Sequence, residues 1–349
     1  MSSYIKEIKS ITDVACEVIG LEICNHPAII PILDHDITYN SEADVVRIRL
    51  PKLSNIGDIR LSFNECLQVV YDISSALAYL RLNGIMHRDI KEQNIMIRIV
   101  DGHIRGILID FNLCTFIVGS LFLKPCSTVT HRAPEVYNSL FNSNADVWSL
   151  GFFIYSLVAG HSWKDMAYDA GWFTAEFEEK EWLDFVTNPA TLDLIKQTIL
   201  ACDNGMTDNE KVFFIRLICG CLQIDEYRIT ETNIIDSIEK YYPGQVVKIN
   251  SSIKMIKREA AALSEKIVLS DRCAGVIKMQ VSYLKEHIYG VLNYTFTHFE
   301  LEERLIYTLI YSMVFMYDNN ELNIWEFPSN RDFVDLHHCI KNWRLILFV

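Results

Sequence analysis

Side chains that suit phosphate chemistry stand near one another in the first third of the sequence. Asp89, Lys91 and Asn94 share one short polar segment, which lies between a helical pattern and an apolar stretch at residues 95–97. A second apolar stretch runs directly into Asp110. If the two stretches are neighbouring strands, their ends carry Asp89, Asn94 and Asp110 to one edge of a sheet.

Phosphoryl transfer requires a grouping of this kind. One carboxylate orients the attacking hydroxyl, while a second carboxylate and an amide hold Mg²⁺ on the phosphates. A cation offsets the charge that develops during transfer. Asn94 and Asp110 provide the hard oxygen ligands that Mg²⁺ prefers, so the residue types predict Mg²⁺-assisted chemistry on a phosphate.

The same residues resemble the motifs of a known family. Residues 87–94 are similar to the H-R-D-x-K-x-x-N catalytic loop of eukaryotic-type Ser/Thr protein kinases, and residues 110–112 resemble their D-F-G. The resemblance implies that Asp89 is the catalytic base and that Lys91 neutralises charge. It also implies that Asn94 and Asp110 are the metal ligands. The expected reaction transfers the γ-phosphoryl group of ATP to Ser or Thr hydroxyls of protein substrates.

Three further kinase motifs follow in the order that the family shows. They are an A-P-E at residues 133–135 preceded by Thr128, a segment similar to D-x-W-S-x-G at residues 146–151, and a segment similar to D-x-x-R-x-T at residues 225–230. These short motifs support the resemblance to protein kinases because they occur together, in the family's order and at plausible spacing.

The resemblance also predicts particular contacts. Asp146, in the second of these motifs, is expected to brace the backbone of the catalytic loop. Arg228, in the third, is expected to form a buried salt bridge with Glu135 of the A-P-E. His87 is expected to pack in the core and to transfer no proton.

Helical patterns surround the motifs and must position them. Residues 62–83 place apolar side chains at helical spacing and are followed by Gly84, a helix stop signal. A second helical region covers residues 181–242, with breaks at Pro189 and at residues 204–205. The Pro243-Gly244 pair marks the expected domain edge.

Together the pattern and the resemblance predict an α+β fold of the bilobal protein-kinase type. The expected small lobe is reduced and covers residues 1–52, and the mainly helical large lobe covers residues 53–245. An all-helical C-terminal domain is expected at residues 250–349, with its strongest helical patterns at residues 271–292 and 300–317. The sequence leaves two alternatives open for the fold of that domain: a cyclin-like fold and an unrelated helical bundle.

The small lobe is expected to contribute nucleotide contacts. Lys6 resembles the lysine of the family's third strand, and Glu17 falls in a helical pattern where the family places its ionic partner. Lys9 is a rival for the same role, and the alternative is that both lysines are merely exposed on a terminal strand. The candidate nucleotide-binding residues that the resemblance adds are Lys6, Glu17, Leu50, Leu53 and Met96.

Two departures from the family pattern bear on activity. No G-x-G-x-x-G motif precedes Lys6, so the resemblance implies a truncated small lobe that lacks its phosphate-covering loop and binds nucleotide more weakly. Asn112 replaces the glycine of D-F-G, and asparagine tolerates a left-handed backbone better than most residues. A pseudokinase scaffold that binds protein partners is therefore the first alternative to an enzyme. A small-molecule phosphotransferase is the second, and the A-P-E with Arg228 argues against it.

Composition limits the class of partner. The formal net charge of −13 disfavours nucleic acid and anionic membranes, and favours protein substrates and a regulatory protein partner. No apolar run is long enough to span a bilayer, and the polar N-terminus carries no signal-peptide pattern. We therefore expect the protein to be intracellular and its ten cysteines to be reduced thiols.

Overall fold

The structure is a computed structural model that describes most of the first 249 residues. The described residues are 3–9, 17, 20–21, 24–33, 38–40, 45–82, 85–116, 128–138, 143–173 and 178–249. The predicted C-terminal domain, whether cyclin-like or an unrelated bundle, lies outside them. The described residues fall into two compact units, the first within Met1–Cys24 and Pro31–Lys52, the second within Asn25–Ile30 and Leu53–Ile253.

A three-stranded antiparallel sheet forms the first unit. Its strands are β1 (Ser3–Ile8), β2 (Thr38–Asn40) and β3 (Val45–Pro51), in the spatial order β1-β3-β2. Along the central strand β3, buried Val46, Ile48 and Leu50 alternate with more exposed arginines. This period-two pattern is typical of a strand with one face in a core.

The second unit contains the remaining described strands and seven α-helices with described bounds, while residues 17 and 20–21 of the first unit are also helical. The strands are β4 (Ser54–Asn55), β5 (Ile85–Met86), β6 (Ile95–Val100), β7 (His103–Leu108) and β8 (Thr115–Phe116). They form an antiparallel sheet in the order β4-β6-β7 and a separate β5-β8 pair. The helices are α1 (Phe63–Leu82), α2 (Asn144–Ala159), α3 (Trp163–Asp169), α4 (Glu179–Thr187), α5 (Pro189–Ala201), α6 (Asp208–Cys221) and α7 (Glu231–Tyr241).

Helix ends in this unit follow local sequence signals. α6 begins with a capping box in which Thr207 and Glu210 bond each other's backbone N–H groups. α5 starts with Pro189 after the N-cap Asn188, so the predicted break lies where proline interrupts the preceding helix. α2 ends at Gly160, whose φ of 75° is the left-handed conformation that glycine adopts at little cost.

The core of the second unit lies around α2. Both sides of this helix are buried, including Trp148, Phe152 and Phe153. Gly151 permits close packing on α6, because a Cβ atom at this position would lie 2.7 Å from the Cβ of Cys221. Burial raises the pKa of the Cys221 thiol, which is consistent with a structural rather than a reactive cysteine. The cysteines in the described ranges are free thiols.

An ion pair fixes the β6-β7 hairpin on α1. The carboxylate of Asp72 is buried and accepts two hydrogen bonds from Arg105, at 2.9 and 2.6 Å, and one from the N–H of Gly106 at 3.0 Å. The pKa of Asp72 lies above the ordinary aspartate value, because the effect of burial is larger than the opposing effect of Arg105. Because the hairpin leads into Asp110, this contact helps to set where that carboxylate lies.

Residues Asn25–Ile30 belong to the second unit, although the expected small lobe included them. The N–H of Ile30 donates to the carbonyl of Leu108 at 3.0 Å, and the N–H of Leu108 donates to Ala28 at 2.8 Å. His26 lies 3.1 Å from the hydroxyl of Ser75 on α1. These contacts attach the segment to β7 and α1. In the part of the chain that the structure describes, no helix is long and apolar enough to cross a membrane.

Candidate active site

Two adjacent strands deliver Asn94 and Asp110 to one place. β6 begins directly after Asn94 and pairs antiparallel with β7, with Ile95 opposite Leu108. The N–H of Ile109 then donates to the carbonyl oxygen of Asn94 at 3.0 Å. The backbones that carry Asn94 and Asp110 are therefore joined by the last hydrogen bond of the hairpin. The neighbouring-strand interpretation of the sequence is confirmed.

Asp89 lies at the centre of a buried polar network. Its Oδ2 atom is 2.6 Å from Nζ of Lys91, and the side chain is only 6% exposed. The amide nitrogen of Asn94 donates both to this Oδ2 and to the Asp89 carbonyl oxygen, each at 2.8 Å. Asp89, Lys91 and Asn94 therefore form one connected group.

Thr128 completes the network from a distant segment. Its hydroxyl and its backbone N–H both donate to Oδ1 of Asp89, at 2.8 and 3.2 Å. Lys91 Nζ donates to the same hydroxyl at 2.9 Å. Burial raises the pKa of Asp89, but the hydrogen bonds from Lys91 and Thr128 outweigh it, so the pKa lies below the ordinary aspartate value. Asp89 is therefore ionised at neutral pH.

The donor set around Asn94 and Asp110 fits a magnesium ion. Both acceptors near the Asn94 amide belong to Asp89, so the amide nitrogen faces them and the amide oxygen is left as a ligand. Among the described residues, no cluster of three or more His, Cys, Asp or Glu side chains is arranged to hold a metal. Mg²⁺ suits a site with few protein ligands, because it keeps waters and substrate phosphates in its coordination shell.

Asp146 braces the catalytic loop, as predicted. Its two carboxylate oxygens accept the backbone N–H groups of His87 and Arg88, each at 2.8 Å. Arg88 has a φ of 70°, a left-handed conformation that costs a non-glycine residue roughly 1–2 kcal/mol. The paired hydrogen bonds hold the backbone in this conformation. Burial raises the pKa of Asp146 to about 6, although the two N–H groups lower it.

This raised pKa predicts a pH-dependent loss of stability. Because Asp146 binds its proton more tightly in the folded protein, its contribution to stability is full below pH ~4 and is lost as the pH rises to ~6. A difference of about two pKa units corresponds to about 3 kcal/mol in the free energy of unfolding. We expect Asp146→Asn to remove this pH-dependent contribution to the free energy of unfolding. The variant should therefore be destabilised relative to the wild-type protein by more at pH 4 than at pH 7.

Urea unfolding of both proteins across this pH range checks the prediction. Other titrating groups contribute equally to the two proteins and cancel in the difference between their unfolding free energies. A difference that stays constant from pH 4 to pH 7 would show that Asp146 does not titrate in this window.

His87 packs in the core. Its side chain is fully buried, its Nε2 lies 3.0 Å from the carbonyl oxygen of Ile109, and its ring meets that of Phe111 edge-on at 4.9 Å. Burial lowers the pKa of His87, so the ring is neutral. The expectation of a packing role for His87 is confirmed.

The predicted ion pair between distant motifs is also present. Arg228 makes a bidentate contact with Glu135, at 2.5 and 3.0 Å, and the Arg228 side chain has no solvent exposure. Its guanidinium also donates to the carbonyl oxygens of Asn144 and Gln223 and lies 5.1 Å from the centre of the Trp148 ring. The pair joins residues that are 93 positions apart in the chain.

The first unit contains the expected lysine–glutamate pair. Nζ of Lys6 lies 2.9 Å from Oε1 of Glu17, whose side chain is fully buried. Leu50 is buried in β3. In the second unit, Leu53 and Met96 are half-buried, and Met96 pairs with Asn55 of β4. The roles of these residues toward a nucleotide remain predictions.

Asn112 replaces a family glycine, and asparagine tolerates a left-handed conformation better than most residues. In the structure the left-handed conformation lies elsewhere. Outside glycine, the described residues with positive φ are Arg88, Asp101 and Asp110, the last with a φ of 65°. Asn112 is not among them, and the left-handed residue of the segment 110–112 is Asp110.

The family of the chain follows from comparison with known proteins. The model of the protein kinase domain matches residues 3–237, which is more than half of the 349-residue chain. The chain belongs to the eukaryotic-type protein kinase family.

Its curated relatives include several proteins named as kinases. MAP kinase-interacting serine/threonine-protein kinase 1 of Xenopus tropicalis is 30% identical over 179 residues, which cover 40% of this chain and 42% of that protein. NUAK family SNF1-like kinase 2 of Rattus norvegicus is 30% identical over 164 residues, covering 45% and 25%. Maternal embryonic leucine zipper kinase of Danio rerio is 39% identical over 110 residues, covering 30% and 16%. The chain therefore spans less than half the length of each of these relatives.

Proposed function

We propose that this protein is an active Ser/Thr protein kinase that uses ATP and Mg²⁺. The observation that carries the proposal is the network in which Asp89 contacts Lys91, Asn94 and Thr128, next to the backbone link between Asn94 and Ile109. A chain that served only as a scaffold would have no need of a buried carboxylate held ionised by so many donors, because burying charge is costly.

The proposed reaction moves the γ-phosphoryl group of ATP to a hydroxyl of a protein substrate. The bond from γ-phosphorus to the β,γ-bridging oxygen breaks, a bond to the acceptor oxygen forms, and ADP leaves. The hydroxyl proton passes to a carboxylate oxygen of Asp89. Because the pKa of Asp89 is low, this carboxylate mainly orients the hydroxyl and takes the proton late. Lys91 offsets charge on the phosphoryl group.

Asn94 and Asp110 are the proposed ligands of Mg²⁺. A bound ion would neutralise phosphate charge and hold the γ-phosphoryl group in line with the acceptor. Lys6, held by Glu17, is the proposed contact to the nucleotide phosphates. Leu50, Leu53 and Met96 are proposed to contact adenine, because their apolar side chains suit the face of a base. Protein substrates and a regulatory protein are the proposed partners.

Ligand-induced stabilisation tests the metal assignment. We expect Mg²⁺ with ATP to raise the melting temperature of the wild-type protein, because a ligand at a hundredfold excess over its Kd stabilises by about 2.7 kcal/mol. Asp110→Ala removes a charged ligand, so the additional shift that Mg²⁺ gives over ATP alone should be lost. A thermal-shift series with ATP, with and without Mg²⁺, measures both effects.

Asp193→Ala is the matched control for this series. It also removes one carboxylate, but Asp193 is an exposed residue of α5 that pairs only across the helix surface with Lys196. This variant should respond to Mg²⁺ and ATP as the wild-type protein does. If the wild-type protein shows no shift with Mg²⁺ and ATP, the alternative of a pseudokinase scaffold is favoured.

A further inference from the structure

Two residues outside the family motifs link the catalytic loop to the segment that carries Thr128. Glu92 stands at an unspecified position of H-R-D-x-K-x-x-N, and His131 lies between Thr128 and the A-P-E. Oε2 of Glu92 lies 3.2 Å from Nε2 of His131. The His131 side chain is 10% exposed and that of Glu92 is 25% exposed, so the contact is largely shielded from water.

The ring of His131 is held on its other sides as well. Its Nδ1 lies 3.1 Å from the hydroxyl of Thr130. The ring meets Phe152 of α2 and Trp163 of α3 nearly edge-on, at 6.3 and 6.2 Å between centroids. The hydroxyl of Ser149 donates to the His131 carbonyl oxygen at 2.7 Å. These contacts leave Nε2 directed at Glu92.

The contact pairs a carboxylate oxygen with an imidazole nitrogen at hydrogen-bond distance. A carboxylate accepts hydrogen bonds, so it suits the tautomer in which Nε2 of His131 carries the proton.

The two segments touch at two points in register. Thr128 bonds Asp89 and Lys91, and three residues further along each segment His131 bonds Glu92. The N–H of His131 donates to the Thr128 carbonyl oxygen at 2.9 Å, so the two points are joined by a single 3₁₀ turn. The second contact adds a direct constraint on how this segment lies against the catalytic loop.

We propose that Glu92 and His131 are positioning residues whose contact holds Thr128 on the carboxylate of Asp89. Their catalytic consequence rests on the proposed kinase function, since Asp89 must be oriented to receive the substrate hydroxyl. Loss of the contact should slow transfer to the protein acceptor and leave nucleotide affinity unchanged. The contact itself exists independently of any reaction, so it is testable without activity.

Hydrogen–deuterium exchange tests the contact directly. The backbone N–H of Thr128 donates to Asp89, so exchange in residues 128–132 reports whether that bond is kept. We expect Glu92→Ala and His131→Phe each to speed this exchange on the order of tenfold, the effect of losing one hydrogen bond. Phenylalanine keeps an aromatic ring against Phe152 and removes the ring nitrogens. Glu92→Gln keeps an acceptor and should remain close to wild type, and Asp193→Ala should be unchanged.

Kinetics on the same variants test the consequence. We expect kcat for a protein acceptor to fall about tenfold in Glu92→Ala and in His131→Phe, with an unchanged KM for ATP and partial recovery in Glu92→Gln. The double variant should be no slower than the slower single variant, because both remove one contact. Unchanged exchange in Glu92→Ala, or additive effects in the double variant, would overturn the proposal. If the wild-type protein transfers no phosphate, the kinase function fails, and exchange alone decides whether the contact holds Thr128.

Discussion

We expect the Asp89→Asn variant to transfer phosphate to a protein acceptor about 100- to 10,000-fold more slowly than the wild-type protein. Asparagine has no carboxylate to orient the hydroxyl and cannot accept its proton. Its amide nitrogen would also face either Lys91 or Thr128, which are both donors to the present carboxylate. Initial rates with radiolabelled ATP and a basic protein acceptor measure the effect.

The control for this variant separates chemistry from folding. Nucleotide binding, followed by the thermal shift with Mg²⁺ and ATP, should be kept in Asp89→Asn because the proposed ligands Asn94 and Asp110 are unchanged. The exposed variant Asp193→Ala should transfer phosphate at the wild-type rate. Equal rates in wild type and Asp89→Asn would contradict the assigned role of Asp89. No transfer by either protein would favour the scaffold instead.

The second large effect is expected on the stability of the Arg228→Met variant. Its free energy of unfolding should be lower by about 3–5 kcal/mol, because the substitution leaves a partly buried Glu135 without its partner. It also leaves the carbonyl oxygens of Asn144 and Gln223 without a donor from this side chain. Chemical denaturation of the whole chain, with the midpoint and slope fitted together, measures the loss.

Two further variants define the cause of this loss. Arg228→Lys keeps the charge but lacks the planar fork, so it should remain destabilised relative to wild type. Lys196→Ala, which breaks an exposed pair on α5, should change stability far less, since exposed ion pairs contribute little. Equal stability of Arg228→Met and wild type would show that the pair with Glu135 does not support the fold.

Several parts of the fold were predictable because their signals are local. The helix at Phe63–Leu82 was expected at residues 62–83, and the helix breaks at Pro189 and residues 204–205 were correctly placed. Each depends on neighbours in the chain: an apolar face at helical spacing, a cap or a proline. The hairpin that joins Asn94 to Ile109 was predictable for the same reason, since two apolar stretches with a short turn between them pair with each other.

Motif knowledge extended these predictions to contacts between distant residues. The pairs Glu135–Arg228 and Lys6–Glu17, and the bonds from Asp146 to the catalytic loop, were expected from the family pattern and are present. Nothing in local propensity indicates them.

Contacts for which neither a local signal nor a motif exists are visible only in the folded structure. Glu92 and His131 are 39 residues apart at positions that the motifs leave unspecified. Asp72 and Arg105 likewise meet only because a helix and a hairpin pack together. The left-handed conformation of Asp110 is likewise indicated by neither a local signal nor a motif. In each case the outcome depends on which groups are buried together, since buried polar groups must find partners wherever packing places them. The candidate residues for phosphate chemistry can therefore be identified from the sequence, while the contacts that orient them depend on the folded core.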